Sequence, residues 1–270
     1  MSGVAVETPT HGPRPEAAAA PVIVVEDVAQ SFGGRVIFEH VSFTVAPGEV
    51  FVVLGGSGCG KSTLLKQMIG LLRPTAGRIE VRGRDVVGDP DAVRREIGVM
   101  FQSGALFGSM SLLENVALPL AVFTDLPARA RDEVARLKLA LVGLADAVHL
   151  LPAEISGGMA KRAAIARALA LDPPVLFLDE PSAGLDPITA AGLDELILDL
   201  RAALGCTFVV VTHELSSIFA IADRCVMLDR EARGVIALGR PEVLRLESRH
   251  PTVRAFFNRG RPSENPKESA

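Results

Sequence analysis

Cysteine and long apolar segments are both scarce in this sequence. The three cysteines, Cys59, Cys206 and Cys225, are an odd number scattered over 270 residues, which argues against a disulfide framework or a metal cluster and favours a reducing compartment. No apolar run approaches the roughly 20 residues that span a bilayer. Residues 1–20 show no cationic start followed by a hydrophobic segment, so we expect no secretory leader.

Charge of a single sign is scarce as well. The chain has 28 Lys and Arg against 32 Asp and Glu, a formal net charge of −4 without any long block of like charge. This balance predicts that the chain has no nucleic-acid-binding surface. Apolar residues are abundant, at 49% of the chain, enough to bury a substantial core in one or two domains. We expect most of these apolar residues to lie in a buried parallel sheet, and some of them to form a docking surface.

The most informative stretch is rich in glycine and fits the pattern G-x-x-x-x-G-K-[ST]. It follows an apolar run at residues 50–54 and precedes a helix-like segment at residues 64–72. In that context, glycines let successive backbone N–H groups converge on phosphate oxygens, and the helix N-terminus favours negative charge. Lys61 would reach the β- and γ-phosphates, while the Ser62 hydroxyl would bind Mg²⁺. The pattern predicts a nucleoside triphosphate site at Gly55, Gly56, Ser57, Gly58, Cys59, Gly60, Lys61, Ser62 and Thr63.

Two carboxylates follow an apolar run of the kind that is buried on both faces of a parallel sheet. Asp179 and Glu180 come directly after residues 175–178, and the carboxyl ends of such strands are where ligands bind in open α/β folds. Asp179 is predicted to hold Mg²⁺, directly or through water. Glu180 is predicted to polarise the water that attacks the γ-phosphate.

Two further polar side chains end apolar runs in the same way. His213 follows residues 209–212, and its position favours contact with the γ-phosphate or the attacking water over a place in the core. Gln102 follows residues 99–101 and could reach either Mg²⁺ or the water. Both are therefore candidates for the catalytic site.

The order of the predicted elements indicates an α/β protein with an interruption. Helical periodicity dominates between about residues 103 and 171, with helices predicted at 128–144 and 157–171, whereas strand-like runs stand on both sides of that block. A flexible tail is predicted at residues 1–20 and another at 259–270, which leaves a domain at 21–258. Before the phosphate loop and just after its helix, short strands are predicted at residues 22–25, 36–38, 41–45 and 77–83.

The segment Ile155-Ser156-Gly157-Gly158-Met159 lies just before a predicted helix and ahead of Asp179. It resembles the signature motif of ABC-transporter ATPases. Other motifs of that family follow its order along residues 22–247, and the resemblance implies a RecA-like P-loop core with an antiparallel β-subdomain and an inserted helical subdomain. These motifs are the adenine-stacking Phe32-Gly33, the glutamine loop at Gln102, the Walker B end Asp179-Glu180, a D-loop ending at Asp186, and the histidine switch His213.

The resemblance also implies a head-to-tail dimer, in which each ATP lies between the phosphate loop of one copy and the signature of the other. Ser156, Gly157 and Gly158 would then offer a hydroxyl, bare backbone N–H groups and a helix N-terminus to the γ-phosphate. Two positions depart from the family pattern. Phe32 replaces the more usual Tyr, which keeps ring stacking, and Met159 replaces Gln, which removes a polar contact near the ribose.

Met159 and the segments at residues 101–107 and 111–120 are similar to ATPases of the Mla/MCE phospholipid-transport group. This resemblance implies ATP and Mg²⁺ as cofactors, with a membrane permease and an MCE-type lipid-binding protein as partners. It also implies a peripheral location on the cytoplasmic face of the inner membrane. The apolar residues Leu106, Phe107 and Met110, with Leu112 and Leu113, would receive the permease or simply pack the helical subdomain.

Some alternatives stay open. The chain could serve another bacterial importer, such as one for amino acids, although those ATPases more often carry Gln after Ser-Gly-Gly. A soluble ABC protein that acts in assembly or repair is a second alternative. Residues 250–257 resemble a short C-terminal element of the family, which could pack against a sister ATPase or form an ordinary terminal helix.

Overall fold

A computed structural model describes residues 20–258. The tails predicted at the two ends of the chain therefore lie outside the described residues, apart from the exposed Ala20. The strands of this part of the chain are Ile23–Phe32 (β1), Arg35–Val45 (β2), Val50–Gly55 (β3), Ala76–Val81 (β4), Arg84–Asp85 (β5), Ile97–Met100 (β6), Val175–Asp179 (β7), Thr207–Val211 (β8), Arg224–Asp229 (β9) and Gly234–Gly239 (β10). Its α-helices are Lys61–Met68 (α1), Pro90–Arg95 (α2), Leu112–Phe123 (α3), Ala128–Leu141 (α4), Gly157–Ala168 (α5), Pro187–Leu204 (α6), Leu215–Ile221 (α7), Pro241–Glu247 (α8) and Pro251–Phe257 (α9).

The strands described between residues 20 and 258 form two sheets. A six-stranded sheet has the order β10-β9-β3-β8-β7-β6, in which all neighbours are parallel except β9 and β10. A four-stranded antiparallel sheet has the order β2-β1-β4-β5. The first sheet brings the carboxyl ends of β3, β8, β7 and β6 to one edge, which is where the candidate site lies.

The six-stranded sheet is buried on both faces, as its continuous apolar strands require. In β3, Val50, Val52 and Leu54 face a core shared with α3 to α7 and α9, whereas Phe51 and Val53 face a core shared with α1 and the antiparallel sheet. Each of these β3 side chains is fully buried. The period-2 alternation of side chains along β3 thus joins two hydrophobic cores into one unit.

Three helices, α3 to α5, lie between β6 and β7, so the helical insertion predicted from the sequence is present. Helix α3 begins at a capping box, since the Ser111 hydroxyl accepts from the Glu114 N–H while the Glu114 carboxylate accepts from the Ser111 N–H. The exact bounds of a helical subdomain, and of the domain itself, stay predictions. Within residues 20–258 no helix is both long and apolar enough to cross a bilayer.

Some predicted element bounds were wrong. The runs at 36–38 and 41–45 were predicted as separate strands, but they belong to the single strand β2, whose ladder with β1 absorbs several register shifts. The left-handed backbone of His40, at φ 54°, lets β2 bend without ending. Three helices stop earlier than predicted. Helix α1 ends before Gly70 and α4 before Gly143, whose φ angles of 69° and 75° are ones that glycine adopts without strain. Helix α5 ends at Ala168 rather than at residue 171.

The C-terminal segment forms helix α9 and packs on its own chain. Val253, Phe256 and Phe257 are buried in the core of the helical side. The ring of Phe257 lies 5.8 Å from that of Phe219 in α7. The sequence left open whether this segment packs against a sister ATPase or forms an ordinary terminal helix. The contacts described here are those of a terminal helix within one protomer.

Candidate nucleotide-binding site

The glycine-rich loop connects β3 to α1, as its pattern predicts. Gly55 has φ 149°, and a Cβ there would lie 2.3 Å from the Leu228 carbonyl oxygen. Gly60 has φ 102°, and a Cβ there would lie 2.6 Å from the Phe38 ring. Side chains at these two positions would both strain the backbone and collide with neighbours, so the path of the loop requires glycine.

The loop presents hydrogen-bond donors to solvent. Gly56, Ser57, Gly58 and Ser62 are exposed, and in the described structure no side chain caps the N-terminus of α1. The Lys61 ammonium folds back over the loop, donating to the carbonyls of Gly55 at 2.9 Å and Gly56 at 3.2 Å. Free backbone N–H groups, a hydroxyl and an ammonium together form an anion site.

Asp179 ends β7 with an oxygen that lacks a partner. Its Oδ1 atom is buried and has no hydrogen bond within residues 20–258. Burial raises the pKa of this carboxyl and the charge of Glu180 adds to the rise, although Lys66, Lys61 and Lys161 oppose it. A buried carboxylate oxygen without a donor fits a hard divalent cation such as Mg²⁺.

Glu180 and His213 are brought together at the ends of β7 and β8. The His213 Nδ1 atom lies 2.9 Å from Oε1 and 3.0 Å from Oε2 of Glu180. The Glu180 side chain is 11% exposed, whereas that of His213 is 59% exposed. The backbone of Glu180 adopts φ 48° and its N–H donates to Val211, so a rarely populated conformation aims this carboxylate.

Gln102 lies beside Asp179. Together with Asp179, Ala183 and Gly184 it lines an open depression. Its backbone carbonyl accepts from the Lys161 ammonium at 2.5 Å, and that ammonium also reaches the Glu180 carbonyl at 3.3 Å. The sequence analysis assigned no role in the site to Lys161. The one sequence signal for such a role is that this lysine stands among the small apolar residues of α5.

Ser156 caps α5, because its hydroxyl accepts from the Met159 N–H at 3.2 Å. The following glycines face the start of α6. A Cβ on Gly158 would lie 2.5 Å from the Thr189 Cγ2 atom, and one on Gly157 would contact Leu185 at 3.7 Å. The described contacts of this segment are thus with α6 and the loop before it, and none is with the phosphate loop of the same chain.

Asp186 and Phe32 belong to other elements than the strand ends of the six-stranded sheet. The Asp186 carboxylate caps α6 by accepting from the N–H groups of Ile188 and Thr189, and hydrogen bonds from Thr189 lower its pKa. Phe32 ends β1 with its ring 50% exposed, next to the Gly33-Gly34 turn. Nucleotide contacts of Asp186 and Phe32 therefore stay predictions.

The apolar stretch after Gln102 is only partly exposed. Phe107 is 51% exposed, but Leu112 and Leu113 are buried in the core of the helical side. Of the two alternatives left open by the sequence, Leu112 and Leu113 therefore fit packing of the helical subdomain, because the inner face of α3 packs onto α4 and α5. Leu106 and Met110 are half-buried.

The site as a whole is that of a P-loop nucleotide-binding protein. The sequence also matches the family model described as "ABC transporter" over residues 38–183. The chain belongs to this family and is an ABC ATPase, a class that binds ATP and hydrolyses it.

Curated relatives agree with this assignment. The chain is 44% identical over 240 residues to "Probable ribonucleotide transport ATP-binding protein mkl" of Mycobacterium tuberculosis, covering 87% of this chain and 66% of that protein; it thus spans about two thirds of the length of that relative. It is 40% identical over 248 residues to "Intermembrane phospholipid transport system ATP-binding protein MlaF" of Escherichia coli, covering 90% and 91%. "Methionine import ATP-binding protein MetN" of Brucella abortus is 42% identical over 228 residues, covering 83% and 61%.

Solved structures share the fold. The cbiO1 protein of Clostridium perfringens, described as part of the ABC transporter complex cbiONQ, matches with a TM-score of 0.77 and 30% identity over 84% of this chain and 91% of that one. The ATP-binding cassette MJ0796, solved as a dimer bound to ADP and Pi, matches with a TM-score of 0.72 and 29% identity over 81% and 98%.

Proposed function

We propose that this chain is the ATP-hydrolysing subunit of a transporter that moves phospholipids across a bacterial envelope. The similarity to MlaF carries this proposal, because it extends over 90% of this chain and 91% of that protein. Met159 after the Ser156–Gly158 segment supports the same group. The substrate is thus a membrane phospholipid, and hydrolysis drives its movement.

The ATP phosphates bind the loop between β3 and α1. Backbone N–H groups and Lys61 neutralise the phosphate charge. Asp179, Ser62 and Gln102 would hold Mg²⁺, a role that the unpartnered Oδ1 of Asp179 suits. When bound, Mg²⁺ offsets the charge that develops on the β- and γ-phosphates.

Glu180 accepts a proton from the attacking water, and His213 orients the Glu180 carboxylate. The 2.9 Å contact between the two side chains supports this division of roles. Ser156 and Gly158 of a second copy complete the γ-phosphate cage, since this segment has no phosphate loop of its own chain beside it. The dimeric form of MJ0796 supports such pairing.

The partners are a membrane permease and an MCE-type lipid-binding protein. The ATPase then sits on the cytoplasmic face of the inner membrane as a peripheral subunit. The exposed Phe107 belongs to the segment at residues 101–107 that resembles the Mla/MCE ATPases, and this resemblance supports a permease contact there. Movement at Gln102 would pass through the helical insertion to the permease.

A tagged copy recovered from detergent-solubilised membranes tests this proposal. We expect a permease, an MCE-type protein and bound phospholipid to be recovered with it, identified by mass spectrometry. The variant Phe107→Asp should recover less permease, whereas a matched change at the exposed Leu137 of α4 should not. Recovery of an amino-acid or nucleotide importer would support the alternative that the MetN and mkl relatives represent. Absence of any membrane companion would contradict both.

A further inference from the structure

Lys161 is a buried cation that contacts two separate segments of the candidate site. It lies in the second turn of α5 and is 9% exposed. Its ammonium donates to the Gln102 carbonyl at 2.5 Å and to the Glu180 carbonyl at 3.3 Å. A charged donor shared by two carbonyls is stronger than a neutral one and fixes the spacing between them.

The segments that Lys161 joins both need support. Glu180 holds a left-handed backbone at φ 48°, a conformation that surrounding contacts must maintain. Gln102 belongs to an exposed turn after β6 rather than to a regular element. Helix α5 also fixes the next residues of this turn, because Arg167 donates to the carbonyls of Gly104 at 2.8 Å and Ala105 at 2.7 Å.

We propose that Lys161 is a positioning residue for ATP hydrolysis, which ties the backbones of Gln102 and Glu180 to α5 and so sets the spacing of their side chains. This inference rests on the proposed function, in which Gln102 and Glu180 serve the reaction. The hydrogen-bond partners described for the Lys161 ammonium are both backbone carbonyls. Helix α5 begins at the signature segment Ser156–Gly158. The same helix therefore connects this segment to the backbones of Gln102 and Glu180.

The test compares Lys161→Met with Lys161→Arg in the intact transporter complex. The Met side chain keeps an unbranched apolar stem but loses the donor, so we expect kcat to fall about tenfold or more while KM for ATP changes less than about threefold. Lys161→Arg should restore most of kcat, since it keeps a charged donor. Should the Met variant fail to fold, Lys161→Gln is measured against the same thresholds, because its shorter amide cannot reach both carbonyls.

Arg162→Met is the matched control. Arg162 lies next to Lys161 on α5 but donates to the carbonyls of Val142 and Gly192, away from the site. The Arg162→Met variant should have a lower thermal stability than the wild type, but its kcat per folded molecule should be unchanged. The inference is overturned if Lys161→Met or Lys161→Gln keeps kcat within about twofold of the wild type, if the loss appears only in KM, or if Arg162→Met lowers kcat equally. A wild-type complex that hydrolyses no ATP would instead contradict the proposed function.

Discussion

The Nδ1 atom of His213 lies within 3.0 Å of both carboxylate oxygens of Glu180, at 2.9 Å and 3.0 Å. The two residues are 33 positions apart in sequence, yet the parallel pairing of β7 with β8 sets them side by side. The Glu180 side chain is only 11% exposed, so its burial and the His213 contact together limit the orientations of the carboxylate. This geometry makes Glu180 the best candidate for the base of the reaction.

The variant Glu180→Gln should lose turnover and keep nucleotide binding. The amide cannot accept the proton of water, and a positioned base typically contributes about 10²–10⁴-fold to the rate. Phosphate release and ATP titration on the same preparation measure the two effects. Near-normal hydrolysis would falsify the role of Glu180.

His213→Ala should lower kcat by about 10–100-fold, the cost of a lost hydrogen bond to a charged group. If His213 acts through Glu180, adding His213→Ala to Glu180→Gln should cost little more, because residues that act as a unit are strongly non-additive. A double-mutant cycle of kcat values makes this measurement. Fully additive losses would show that His213 works independently of Glu180.

Lys61→Ala should weaken ATP binding itself by about 10–100-fold. In the structure its ammonium is held over the loop by the Gly55 and Gly56 carbonyls, so it is already placed where phosphate would arrive. Arg73→Ala, at an exposed position shortly after the same helix, is the matched control. Titration with ATP measures the affinity of each variant. Equal affinities for the two variants would contradict a role of Lys61 in ATP binding.

The sequence predicted where the candidate hydrolytic residues lie, because their positions follow from strand ends. Apolar runs before Asp179 and His213 identify buried parallel strands, and such strands deliver the residues after them to one edge. The role of Lys161 was not predicted, because its contacts depend on how α5 packs against the turn after β6. No local pattern encodes that packing, and a lysine in a helix is ordinarily exposed.

The limits of pattern reading also explain what the sequence left open and what it predicted wrongly. Leu112 and Leu113 stand next to Phe107 in sequence and share its apolar character, but the helix that begins at Ser111 turns them into the core. The β2 strand was split because the polar residues between its apolar runs resemble a turn. Its pairing with β1 is a tertiary effect that overrides this local signal.

Asp194→Asn should stabilise the fold at neutral pH, and the gain should shrink in acid. Burial raises the pKa of Asp194, with Glu214 adding to the rise. Because the folded-state pKa lies above the unfolded-state value, the ionised carboxylate favours unfolding, and this cost disappears as the pH falls through the folded-state pKa. Urea unfolding between about pH 8 and pH 4 measures the difference. The exposed Asp199→Asn on the same helix is the control, and an equal gain there would contradict the argument.

The three cysteines should resist alkylation in the folded protein. All are buried without disulfides, and burial raises the pKa of each thiol, that of Cys225 to about 12. Since the thiolate is the reactive form, Cys225 should react about a thousandfold more slowly near pH 8 than a free cysteine, and all three should react once urea unfolds the chain.

Cys59 gives this experiment its sharpest outcome, because it belongs to the phosphate loop. Its side chain is fully buried beside Gly55, so access requires the loop to open. A variant with Cys206→Ala and Cys225→Ala leaves Cys59 as the single thiol, and labelling followed by mass spectrometry gives its rate. We expect slow labelling that ATP slows further, since a bound nucleotide stabilises the closed loop. Labelling at the rate of the unfolded chain would mean that the loop is open in solution.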